Sequence, residues 1–128
     1  MDARVSQITL VVSNQQTALE FYTRKIGFEK KTDYTPSASH RWVTVGPLGQ
    51  DIEIALIEQS GNAQGANKLP IVLRVSDCRK AFTELKSRGV EFTQPQPEEV
   101  PWGIVATFSD PDGNMFSIYQ APPADKWK

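Results

Sequence analysis

The first residues of the chain alternate. Over residues 5–12, Ile8, Leu10 and Val12 fall on one face of an extended segment and Gln7, Thr9 and Val11 on the other. This predicts a strand with one face under a helix. The period then lengthens. Ala18, Leu19, Tyr22 and Ile26 recur at helical spacing, with Phe21 at the edge of the stripe, which predicts a helix over residues 15–26. Ser13 and Gln16 read as a capping box in front of it, and Gly27 as the residue that ends it. Strands are predicted over 28–34, 40–45 and 51–57, with a loop at 36–39. The first module is therefore β-α-β-β-β, over about residues 4–58.

A polar, glycine-bearing stretch without periodicity follows, a linker over residues 59–69. The pattern then restarts over about 70–120. Residues 70–75 read as a strand and 78–88 as a helix capped by Asp77 or Ser76. Its stripe, Ala81, Phe82 and Leu85, lies 63 residues beyond Ala18, Leu19 and Tyr22. Gly89 ends it. Residues 90–92 read as a short strand. Pro95, Pro97 and Pro101 make 94–101 irregular or an edge. Strands over 104–108 and 115–119 complete the module, and 121–128 form a peripheral tail.

The two modules also share a turn. In GPLGQDIEIALI (46–57) and SDPDGNMFSIYQ (109–120), Pro47 and Pro111, Gly49 and Gly113, and Glu53 and Ser117 are each 64 residues apart. Proline pre-sets one turn angle and glycine supplies the positive φ. A turn and strand used twice at one spacing indicates a duplication.

Two tandem β-α-β-β-β modules, with LEFYTRKIGF (19–28), AFTELKSRGVEF (81–92) and FSDPDGNMFSI (108–118) in this order, resemble the vicinal oxygen chelate superfamily. That group includes glyoxalase I, the bleomycin-resistance proteins and the extradiol dioxygenases. The resemblance implies one α+β domain over 1–128, whose modules form an open, cup-shaped mixed sheet with helices outside. It also implies a small ligand in the cup and a homodimer. In metal-dependent members four cup-facing positions ligate the metal. They fall here on Gln7, Glu53, Pro70 and Ser117. Proline has no side-chain donor, a serine hydroxyl is a weak one, and His40 is the single histidine, so a two-histidine iron site is excluded within one chain. The expectation is a binding protein without a metal or other cofactor. The alternative is a glyoxalase-like lyase or isomerase, with Glu53 as general base and a weak or shared divalent metal.

Alternation assigns Gln7, Thr9, Glu53, Ala55, Ser117 and Tyr119 to the inner face. Ile8, Leu10, Ile52, Ile54, Leu56, Phe116 and Ile118 go against the helices. Glu53 is the central polar group and the one candidate catalytic residue. Gln7, Thr9, Ser117 and Tyr119 are ligand-binding candidates beside it. His40 and Trp42 join them from the neighbouring strand. Trp42 and Trp102 offer flat apolar walls, and Arg74 a cation for an anionic group. Cys78 reads as structural.

Composition narrows the partners. Among 128 residues, 14 basic and 15 acidic side chains leave a net charge of −1, which disfavours nucleic acid and membrane surfaces as partners. No apolar run reaches membrane length and no signal-peptide pattern opens the chain. One cysteine permits no internal disulfide. A soluble cytoplasmic protein that binds a small organic molecule is expected.

Overall fold

The computed structural model describes residues 1–59 and 67–123. Residues 60–66 of the expected linker and 124–128 of the expected tail lie outside the described residues. The chain divides into two compact units, the second beginning at Asn67. Each contains one four-stranded mixed sheet and one helical segment, an open α+β arrangement used twice.

In the first unit β1 (Gln7–Val12) runs parallel to β4 (Glu53–Glu58), β3 (His40–Gly46) is antiparallel to β4, and β2 (Glu29–Ser37) pairs with β3. A helix, α1 (Gln15–Glu20), follows β1 and continues as a π-helical turn, Phe21–Ile26, that Gly27 ends at φ 90°. The capping box does not form. Asn14, one residue after Ser13, is the cap, and its Oδ1 accepts from the Thr17 N–H at 2.9 Å. Gln16 turns outward instead, donating to Glu20 and accepting from Arg41.

Burial follows the alternation on β1, whereas on β3 and β4 it covers both faces, Thr44 and Ala55 being fully buried as well. Leu10, Val12, Ile54, Leu56, Val43 and Val45 are buried on the side of the sheet where Ala18, Leu19 and Tyr22 pack. Each such side chain contributes about 1.5–3 kcal/mol. Tyr22 is fully buried and stacks on Phe28 with centroids 6.2 Å apart. Ile8 and Ile52 are the exceptions to the expected set, each only half-buried; strand β4 starts one residue after Ile52, at Glu53.

The second unit repeats the strand order. β5 (Ile71–Arg74) is parallel to β8 (Met115–Gln120), β7 (Gly103–Ser109) is antiparallel to β8, and β6 (Glu98–Val100) lies at the edge on β7. Helix α2 (Cys78–Ser87) is capped by Asp77, whose Oδ1 accepts from the Lys80 N–H at 3.0 Å. The strand expected over 90–92 shrinks to one bridge, Phe92 to Phe108. The module's second strand lies in the proline-rich stretch instead. Pro97 and Pro101 flank its three residues, and an edge strand needs partners on one side only. Phe92 still serves the core, in a run of rings from Phe82 (4.4 Å) through Phe108 (5.6 Å) to Phe116 (5.5 Å).

Candidate functional site

The helix-free face of the first sheet is set by register. Gln7 lies beside Glu53 and Thr9 beside Ala55 across the β1–β4 ladder. Thr44 lies beside Ala55 across β3–β4, and Thr32 beside Thr44 across β2–β3. Because side chains alternate, these residues share one face, opposite the one that carries Leu10, Ile54 and Val45.

Glu53 opens β4, and its backbone N–H donates to the Ser6 carbonyl at 3.1 Å. Its side chain is half-buried. One oxygen, Oε1, accepts from two hydroxyls, Thr44 Oγ1 at 2.5 Å and Thr32 Oγ1 at 3.2 Å. Thr44 is fully buried. Among the described residues, no hydrogen bond reaches Oε2 and no Lys, Arg or His pairs with this carboxylate. Gln7, its neighbour in register, is exposed and forms no hydrogen bond to it among those residues. The arrangement holds one carboxylate oxygen firmly and leaves the other to accept from something else.

Two residues further along β2 and β3 the same face carries Tyr34 and Trp42, paired in register and 62% and 36% exposed. A two-residue step is about 7 Å. His40 lies at the far end of β3, in the hairpin turn. Its Nδ1 is 3.1 Å from both the Ser37 and Ser39 hydroxyls. Four residues separate it from Thr44, a rise of about 13 Å.

Alternation from the sequence places Thr44 on the inner face with His40 and Trp42 but gives it no role, and it does not single out Thr32. Thr32 sits next to a register shift between Lys30 and Thr32, where simple alternation gives no face.

The helix-free face of the second sheet is built differently. Ser117 lies in register with Val72 and Thr107, and Tyr119 with Arg74 and Val105. Ser117 is 3% exposed and its Oγ is 2.8 Å from Thr107 Oγ1. Tyr119 donates its phenolic hydrogen to the Trp102 carbonyl at 2.8 Å, which pins the turn between β6 and β7. The Trp102 ring is 58% exposed at that turn. Arg74 is exposed and has no ion pair among the described residues; it lines a concavity of about 510 Å³ with Ser76, Gln120 and Pro122. Cys78 is buried, donates to the Ile118 carbonyl, and has its thiol pushed up by burial. It is an inert core thiol.

The register corrects one correspondence. The 63-residue offset matches the helix caps, Asn14 to Asp77, and would match Gln7 to Pro70. Yet Gln7 stands beside Glu53, and the residue beside Ser117 is Val72. The second module has two residues fewer between strand and cap. The metal-ligand positions of the resemblance are thus Gln7 and Glu53 in one sheet, and Val72 and Ser117 in the other. Neither pair by itself, an amide with a carboxylate already shared by two hydroxyls or a valine with a hydrogen-bonded serine, fits a divalent metal that takes imidazole and carboxylate donors. Among the described residues no three His, Cys, Asp or Glu side chains cluster as a metal site.

Comparison with known proteins agrees with this architecture. The antibiotic-binding protein TnmS3 of Streptomyces sp. CB03234 superposes with a TM-score of 0.81 at 31% identity, covering 94% of this chain and 98% of that one. A protein of the glyoxalase/bleomycin resistance protein/dioxygenase superfamily from Sphaerobacter thermophilus is 36% identical, with a TM-score of 0.77 over 93% and 98% of the two chains. YurT of Bacillus subtilis is 35% identical over 88% of this chain and 94% of its own. The family model for the Glyoxalase/Bleomycin resistance protein/Dioxygenase superfamily matches residues 4–118, and with the duplicated module and shared strand order this chain belongs to that superfamily.

Proposed function

We propose that this protein binds a small organic molecule, with Glu53 as the central polar group and no catalytic metal. One observation carries the reading. Glu53 is fixed through Oε1 by Thr32 and Thr44 while its other oxygen has no hydrogen bond among the described residues. Polar groups held in place beside exposed aromatic surface are what a ligand site needs. The resemblance to an antibiotic-binding protein supports the same class of partner. Gln7, Thr9 and Trp42 are the candidate contacts around Glu53. His40, Arg74, Trp102, Ser117 and Tyr119 are ligand-binding candidates by alternation and position. A homodimer in the cytoplasm is the proposed form. No helix among the described residues is long and apolar enough to cross a membrane.

The same open carboxylate oxygen favours a second reading, in which Glu53 takes a proton in a lyase or isomerase reaction. One experiment addresses both. A library of antibiotics and small metabolites is screened by ligand-observed NMR against wild type and Glu53→Gln. The expected result is a set of compounds that bind wild type unchanged and bind Glu53→Gln at least about tenfold more weakly, with the circular dichroism spectrum retained. A bound compound that turns over on wild type, and not on Glu53→Gln, establishes the second reading instead. Binding that ignores Glu53 overturns the site.

A further inference from the structure

We infer that the ligand of the Glu53 face carries a protonated nitrogen joined by a short arm to a planar apolar group; the inference rests on the reading of this face as a binding site. It starts from a charge balance. Glu53 is half-buried, and its partners are two neutral hydroxyls. Hydroxyl donors replace part of the lost hydration of a carboxylate but supply no opposite charge. No lysine, arginine or histidine of the described residues supplies it either. Lys31, nearby on β2, is committed to the Gln50 carbonyl and the Glu29 carboxylate. The missing counter-charge is what a ligand ammonium brings, and its N–H groups match the acceptor left open at Oε2.

The second half of the ligand is read from Tyr34 and Trp42. They stand side by side in register on this same face, about 7 Å along the strands from Thr32 and Thr44. A single exposed ring is unremarkable, but two adjacent rings next to an uncompensated carboxylate form a combined apolar and cation-attracting surface. An anionic ligand would be repelled here. A neutral one would leave the charge unanswered. Thr32 and Thr44 are positioning residues: they fix Oε1 and so aim Oε2.

The test uses matched probes. Tryptamine, tryptophol and indole-3-propionate share a ring and a two-carbon arm and differ in terminal charge. The same triplet on a naphthalene ring guards against one ring being a poor fit. Each is titrated by calorimetry and by amide chemical shifts into wild type, Glu53→Gln, Thr44→Val and Thr44→Ser. The expected order on wild type is amine, alcohol, carboxylate, with the amine about tenfold or more ahead of the alcohol. Glu53→Gln keeps the carbonyl that Thr32 and Thr44 hold and removes the charge and the acceptor at Oε2, so it should erase the amine preference and bring the amine down to the level of the alcohol. Thr44→Val should reduce the preference several-fold, and Thr44→Ser, which restores the hydroxyl, should recover it. A merely structural Thr44 would weaken all three probes alike.

Equal binding of amine and alcohol on wild type overturns the inference while leaving small-molecule binding intact. So does a preference that survives Glu53→Gln. If neither triplet binds, the inference fails, and the function proposed above stands or falls on its own library screen.

Discussion

The two modules have one topology and finish their last hairpin in opposite ways. In the second module the β7–β8 ladder runs without a break from Ile104–Gln120 to Ser109–Met115, and the Asp110 N–H bonds to the Asn114 carbonyl beyond it. The turn is then clamped by side chains. Asp110 accepts from the backbone and the amide group of Asn114 at 2.8 and 2.9 Å, and Asn114 accepts from the Asn67 N–H. In the first module the β3–β4 ladder covers only Thr44–Ala55 and Val45–Ile54, and the turn beyond it is closed by one backbone bond, from the Gln50 N–H to the Pro47 carbonyl at 3.3 Å, with the Lys31 ammonium on the Gln50 carbonyl. Gly46 lies where a Cβ would meet the Ile52 carbonyl at 2.6 Å, and Lys31 covers it. The carboxylate sits at the end of the short ladder. Ser117, its counterpart, sits inside the long one. A fully zipped ladder satisfies its own polar groups and has little left to offer a ligand; an interrupted one leaves a charged side chain at its rim.

The largest test of this contrast is at Gly103, where the second module turns from β6 into β7. Its φ is +147°, and a Cβ would come 2.2 Å from the Gln120 carbonyl. Gly103→Ala should therefore cost about 3 kcal/mol, from a backbone clash together with left-handed strain. Gly49, in the corresponding turn of the first module, has φ +75° and empty space around it. Gly49→Ala should cost only the strain, about 1 kcal/mol. Urea unfolding of both variants gives the comparison, and equal losses would break it.

A middle-sized effect is expected at Asn114, which is fully buried. Asn114→Ala removes the amide that donates to Asp110 Oδ2 and the oxygen that accepts from the Asn67 N–H, and should cost about 2–3 kcal/mol. Gln50 occupies the same place in the shared turn and is exposed. Gln50→Ala should stay within about 0.5 kcal/mol. Thermal midpoints of the pair read the difference directly.

The smallest effect separates the modules by pH. The first holds a two-pronged pair: Arg41 Nε and Nη2 reach the Asp33 oxygens at 3.0 and 2.8 Å. The hydrogen bonds from Arg41 hold the Asp33 carboxyl below its ordinary value of 3.8. A lowered folded value means stability that is present above 3.8 and lost as pH falls through the folded value below it. The pair is largely solvent-screened, so the increment is a fraction of a kcal/mol, about 0.5. The second module's Arg79–Glu99 contact is more exposed still. Urea midpoints at neutral pH and near pH 3 should show wild type losing slightly more than Asp33→Asn. A larger loss in Asp33→Asn would reverse the assignment.

Much of the architecture was legible because periodicity is a local property. The apolar core positions of β1, β4 and β8 follow from alternation, and the helices from their stripes and their closing glycines, while the burial of Ala55 and Ser117 on the other face does not. What escaped depends on partners distant in sequence. Glu98–Val100 is a strand because β7 lies beside it, although its flanking prolines argue for irregular chain. Asn14 displaces Ser13 as cap by one residue, a choice made by backbone angle rather than residue type. Glu53 was visible as a carboxylate on an inner face. That two threonines, nine and twenty-one residues away, hold one of its oxygens was not, because that depends on strand register and on a bulge.

The two residues missing between β5 and the cap of α2 have an evolutionary meaning. Strands tolerate insertion and loss by parity. Removing one residue would have turned every side chain of β5 over and set its polar set against the helix. A difference of two slides the strand by a full pleat and keeps Val72 and Arg74 on the face that Gln7 and Thr9 occupy in the first copy. After a duplication, deletions of even length are therefore nearly silent for folding, yet each moves a different side chain into the place beside the last strand. In this chain the two-residue difference sets Val72 beside Ser117 where the first copy has Gln7 beside Glu53, so two copies of one module can present different chemistry at one register position with the same core pattern.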